Sequence, residues 1–250
     1  MLGPEEFIEG LFSLLYVFST TSVGILLISR YFKYKEKSFI FIGLSVAGIS
    51  CPWWPSSVSF LSHALFEYKI PDQVFFFIGN AFIPLFLFSW IIGMNILLFD
   101  GKNKIFVISY AILLSVMEIV FLLILFVAPP NLILLLIGSL DEKNLNAEYE
   151  GFIFVLLIII VITIFTTGLL MSRKLMKANK PVIQLRGKLM LIGFIIWSVA
   201  ATIDTRVPLE VIGVIIVRTL LIISAIDFYF GWVMPEFMQK FFRKVKILKK

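Results

Sequence analysis

One cysteine and one histidine in 250 residues set the first limits. A lone thiol, Cys51, cannot close an intrachain disulfide, and a zinc centre built on cysteine and histidine needs several such ligands. With His63 the only imidazole, the two-histidine metalloprotease helix is excluded, and a serine nucleophile would have to find its base at the end of a helix. No Gly-x-Ser-x-Gly turn or glycine-rich phosphate loop is present. Asp204 and Asp227 fall at opposite ends of the hydrophobic segments, so they cannot form a paired-aspartate protease. Charge is scarce as well, at 15% of residues against 60% hydrophobic. Mean hydropathy is +1.02, more apolar surface than a water-soluble domain can bury.

What is present is a succession of apolar runs near 7–29, 38–61, 73–99, 105–128, 151–172, 182–203 and 208–232. Each is close to the roughly 20 residues that cross a hydrocarbon core as a helix. The predicted fold is an all-α polytopic bundle of seven transmembrane helices over 1–234, with a basic tail over 235–250. Lys and Arg gather on one side: Arg30 to Lys37, Lys102 and Lys104, Arg173 to Lys188, and Lys240 to Lys250. The other side has Lys69, Lys143 and Arg206. The positive-inside rule then predicts a multi-pass cell-membrane protein with its N-terminus outside and its C-terminus in the cytoplasm. Glu5, Glu6 and Glu9 open the chain where a cleavable signal peptide would carry positive charge, so the first helix is expected to stay in place. The apolar stretch 131–140 follows Pro129-Pro130 and is about half the length of a span, so it is expected to form an outer lid or interfacial segment.

From Pro235 onward, Phe237, Met238, Phe241, Phe242, Val245 and Leu248 fall within roughly 140° of one helical face. Lys240, Arg243, Lys244, Lys246 and Lys250 cover the remainder. That pattern predicts an amphipathic helix lying on the anionic inner leaflet.

Charges inside the bilayer are costly, which singles out Glu118, Arg218 and Asp227. Counting about 1.5 Å per residue puts Glu118 and Arg218 at similar depth, so they are expected to pair, either as a packing lock or as part of a ligand site. Asp227 is expected at the inner interface. Pro52 and Pro55 must break the second helix around Trp53 and Trp54, and broken helices survive at membrane depth only where protein or a wet cavity satisfies their carbonyls. With Asn80 and Pro84 at similar depth, the expectation is an outward-opening pocket walled by Trp53 and Trp54 and touched by Asn80. An interfacial tryptophan belt on a kinked helix is the competing reading. Thr20, Thr21, Ser22, Thr163, Thr166 and Thr167 read as interhelical glue.

The stretches Pro52-Trp53-Trp54-Pro55-Ser56-Ser57 and Gly231-Trp232-x-x-Pro235-Glu236 are similar to those of uncharacterised archaeal seven-helix membrane proteins. A looser likeness is to the seven-helix sensor region of some histidine kinases. In topology alone the chain resembles seven-helix receptors and microbial rhodopsins. It departs from rhodopsins in having no lysine in the seventh helix. It departs from G-protein-coupled receptors at Phe99-Asp100-Gly101-Lys102, where their acidic-Arg-aromatic triplet would stand, and in lacking their Asn-Pro motif. These likenesses imply a sensor or receptor-like protein without catalysis or cofactor, signalling through a separate partner. The alternative is a small transporter or lipid-handling protein, although matched broken helices in two halves are not evident.

Overall fold

The computed structural model describes residues 2–206 and 211–244. It is an all-α multi-pass bundle with seven helices long and apolar enough to cross a membrane. The first span is α1 (Pro4–Tyr34). The second is α2 (Ser38–Gly48), a 3-10 turn (Cys51–Trp53) and α3 (Trp54–Phe66); the third is α4 (Asp72–Asn80) with α5 (Ile83–Phe99). The fourth is α6 (Lys104–Val127). A short α7 (Pro130–Leu136) and a hairpin of β1 (Gly138–Leu140) and β2 (Ala147–Tyr149) lead to the last three, α8 (Gly151–Met176), α9 (Pro181–Arg206) and α10 (Val211–Val233). The tail helix α11 (Glu236–Lys244) follows. Of the residues assigned above, Pro208, Val245, Lys246, Leu248, Lys249 and Lys250 lie outside the described set.

The spans pack in chain order around a ring, α1 against the second span, that span against α5, α8 against α9 and α9 against α10, and α1 closes it on α10. The interior is therefore walled by the second, third, fifth, sixth and seventh spans. α6 leans on α5 from outside: 22% of its apolar window is buried, against 56% for the second span. Glycines set the tightest seam. Any Cβ on Gly24 would collide with the backbone oxygen of Gly43, so α1 and α2 approach at a distance only glycine allows.

The break in the second span is compensated locally. Thr20 Oγ1 donates to Ser50 Oγ at 2.7 Å, Trp54 Nε1 donates to the same oxygen at 3.2 Å, and Cys51 Sγ reaches the Ile78 carbonyl. The third span is interrupted at the same level, between Asn80 and Ile83, where Pro84 opens α5. Of the residues expected as glue, Thr20, Thr163 and Thr167 bond between helices. Besides the Thr20 bond, Trp90 Nε1 donates to Thr167 Oγ1 at 2.8 Å and the Tyr110 and Thr163 hydroxyls are hydrogen-bonded at 2.9 Å.

The stretch 131–140 does not cross the bundle. It forms α7, with Leu134 and Leu135 exposed, and then β1. In α11, Met238 and Phe242 pack with Val182, Leu185 and Leu189 of α9, while Phe237 and Phe241 remain exposed on the neighbouring face. The apolar face read from the tail is thus divided, over the described residues, between packing on α9 and an exposed part.

Candidate functional site

The two ends of the bundle differ, one roofed by the β hairpin and the other carrying the basic loops. At the roofed end Arg218, 1% exposed, reaches across from α10 to α1, α9 and the hairpin. Its Nη1 donates to the Glu9 carbonyl at 2.5 Å and to Ser13 Oγ at 2.6 Å, both on α1. Its Nη2 lies 3.5 Å from Asn146 Oδ1 in the hairpin, the outer limit of a hydrogen bond. Nε stands 3.6 Å from Asp204 Oδ1, an ion pair without a direct hydrogen bond. The other oxygen of Asp204 accepts Trp53 Nε1 at 2.5 Å. Trp53 in turn meets Tyr16 edge to face at 5.0 Å, and the Tyr16 hydroxyl accepts from Trp197 Nε1 at 3.0 Å. A guanidinium out of water is tolerable only with this density of acceptors and an opposite charge.

The expected Glu118–Arg218 pair is not formed. Arg218 is seven residues into α10 and therefore in its roofed half, not at its middle. α9 runs one turn past Ile203, which carries Asp204 back over the guanidinium. Glu118 faces a separate groove of about 360 Å³ between α5 and α6, beside Pro84, Phe88 and Ser115, and its Oε2 has no hydrogen-bond partner among the described residues.

The roof is fastened to every side. Lys143 Nζ pairs with Glu6 at 2.5 Å, and the Lys143 carbonyl accepts from Ser59 Oγ at 3.2 Å and lies 2.9 Å from His63 Nε2. Asn144 Nδ2 donates to the Ile70 carbonyl and to Asp72, and Lys69 Nζ donates to the Glu142 carbonyl. The Tyr149 hydroxyl reaches the Pro52 carbonyl, and burial pushes that phenol well above its usual range. Beneath the roof, Trp53, Ser56, Asn146, Tyr149, Asp204 and Arg218 enclose a polar chamber of about 20 Å³, room for about one water.

Below the chamber runs an apolar cavity of about 50 Å³. Pro52, Trp53 and Thr205 line both spaces. Phe194, Trp197, Ala201 and Thr205 form one wall along α9, spaced three or four apart so that they share a face over roughly 16 Å at 1.5 Å per residue. Phe228 and Trp232 of α10 close the basic end, and Trp90 with Phe86 and Leu87 supplies the α5 side. The lining extends along that face from Trp53 to Trp232, which makes the cavity an elongated channel. Among the described residues its only polar lining side chains are Ser45, Thr205 and the tryptophan indoles.

Of the residues picked from the sequence, Trp53 and Arg218 belong to the same cluster. Trp54 does not line either space; it packs on Phe82 and Phe86. Asn80 is buried, donates to the Phe76 carbonyl and lines neither space. Asn146, Ala147 and Tyr149 of the hairpin segment line the chamber beside Trp53. Missed were Asp204, Ser13, Asn146, Trp90 and Trp197. Trp90 and Trp197 carried a usable signal: both stand well inside apolar runs, where an interfacial belt has no reason to put tryptophan.

No family model, curated protein or solved structure matches this chain.

Proposed function

We propose that this chain is a membrane sensor, receptor-like in action, that takes a slender apolar ligand into the cavity between Trp53 and Trp232 and signals through a separate partner. The observation that carries the reading is the distribution of tryptophan: four of the five, Trp53, Trp90, Trp197 and Trp232, line one narrow channel. Rigid aromatic walls with few polar groups suit an apolar guest. Trp53 is both a wall of that channel and a donor to Asp204, so a guest that moves the indole disturbs the ion pair to Arg218 and the hairpin above it. The positive-inside rule supports placing the roof outside and the basic loops in the cytoplasm. α11 then lies on the anionic inner leaflet, where a partner can read its position. Cysteine labelling at Glu148 and Lys240 checks that orientation. Label reaching both from one side would contradict it.

The binding test uses 1-bromodecane with the protein in lipid nanodiscs. Bromine entering the channel should quench the cavity tryptophans, and Ala201→Phe, which fills the channel from α9, should abolish that quenching while the melting temperature shows the fold intact. Quenching that persists unchanged in Ala201→Phe would place the probe in the surrounding lipid and reject the site. Release of a trapped probe from sealed vesicles by the protein alone would instead favour a transporter.

A further inference from the structure

The five indole N–H groups differ in one respect. Trp53 donates to Asp204, Trp54 to Ser50, Trp90 to Thr167 and Trp197 to Tyr16. Trp232 is 6% exposed, and its Nε1 has no hydrogen-bond partner among the described residues. A buried donor left unmade is costly, and phenylalanine would supply the same apolar wall without that cost. The backbone holds Trp232 firmly in place: Arg186 donates from Nε to the Gly231 carbonyl at 2.7 Å and from Nη2 to the Trp232 carbonyl at 2.6 Å, satisfying the last turn of α10. Trp232, a residue of the lining at the basic end of the channel, thus carries an unmatched donor on a helix end whose backbone is held in place.

We infer that Trp232 Nε1 is the polar contact of the cavity's ligand, donating to one acceptor oxygen carried on an otherwise apolar chain. The chemistry of the lining narrows the class further. Among the described residues no Lys, Arg, His, Asp or Glu lines the channel, so a carboxylate or ammonium head would lie there without a counter-charge. What fits is a neutral long-chain ketone, aldehyde, ester or alcohol, its oxygen at Trp232 and its tail toward Trp53. This assignment rests on the channel being a ligand site. It adds the head group and the direction in which the molecule lies.

The test compares 2-decanone with decane, at equal mole fraction in the nanodisc, as competitors of 1-bromodecane quenching. One neutral hydrogen bond predicts that the ketone displaces the probe at about five- to tenfold lower concentration. Trp232→Phe should bring the two competitors to equal potency without changing decane's. In the wild-type protein labelled with ¹⁵N-tryptophan, the Trp232 indole N–H resonance should move downfield with the ketone and stay in place with decane, a readout that does not depend on the variant folding. Equal potency in the wild type, or a ketone preference that survives Trp232→Phe, overturns the assignment and leaves the channel as a ligand site. Failure of both competitors and of the bromide to enter the channel overturns the site itself, and the assignment with it.

Discussion

Arg218 and Glu118 are both ionisable residues set within apolar helices, and the bundle treats them in opposite ways. Arg218 is drawn into the junction of α1, α9, α10 and the hairpin and is met by Asp204, Ser13, the Glu9 carbonyl and Asn146. Glu118 stays on the outlying α6, in a groove against α5, with one carboxyl oxygen unpaired. The contrast separates two quantities that residue counting merges. Spacing along a helix gives depth, whereas the face a residue presents depends on which helices flank it, and α6 does not border the channel.

The comparison can be broken most decisively by mutation of the partnered charge. Arg218→Met or Asp204→Asn alone leaves a buried charge uncompensated, at about 3 to 5 kcal/mol of lost stability. The double change should recover much of it in unfolding measurements in bicelles. Glu118→Gln combined with Arg218→Met should be additive to within about 0.5 kcal/mol, and a larger coupling would restore the pairing that the geometry rejects. Trp53→Phe removes a hydrogen bond to a carboxylate and should cost about 1.5 to 3 kcal/mol, with faster amide exchange in the hairpin as its local signature. Thr167→Val leaves Trp90 Nε1 without its acceptor across α5 and α8; interhelical bonds of this kind average about 0.6 kcal/mol within membranes. The smallest effect belongs to Glu118→Gln alone, expected within about 0.5 kcal/mol of wild type because no partner is lost. A loss of several kcal/mol there would mean that Glu118 has a partner after all.

The spans were legible because their apolar runs are long and bounded by charge, and 131–140 was legible as a non-spanning segment because it is too short to cross. Thr20, Thr163 and Thr167 were readable as glue, since a hydroxyl in an apolar helix has few other uses. Asp204 was not legible as a buried residue. The apolar run ends at Ile203, and only the continuation of α9 to Arg206 brings its carboxylate beneath the hairpin. Trp54 and Asn80 were placed in a pocket by depth alone, and their helices turn them toward Phe82, Phe86 and the Phe76 carbonyl instead. The channel itself depends on the ring order of the spans and on α6 lying outside that ring, which no local pattern encodes.

The central claim is that the space between Trp53 and Trp232 holds a guest, and bromine anomalous scattering from crystals grown with 1-bromodecane tests it most directly. The account predicts an anomalous peak inside the bundle, within contact of Trp90 or Trp197, that disappears in Ala201→Phe. Peaks confined to the lipid-facing surface, such as the groove beside Glu118, with none between those tryptophans, would contradict it.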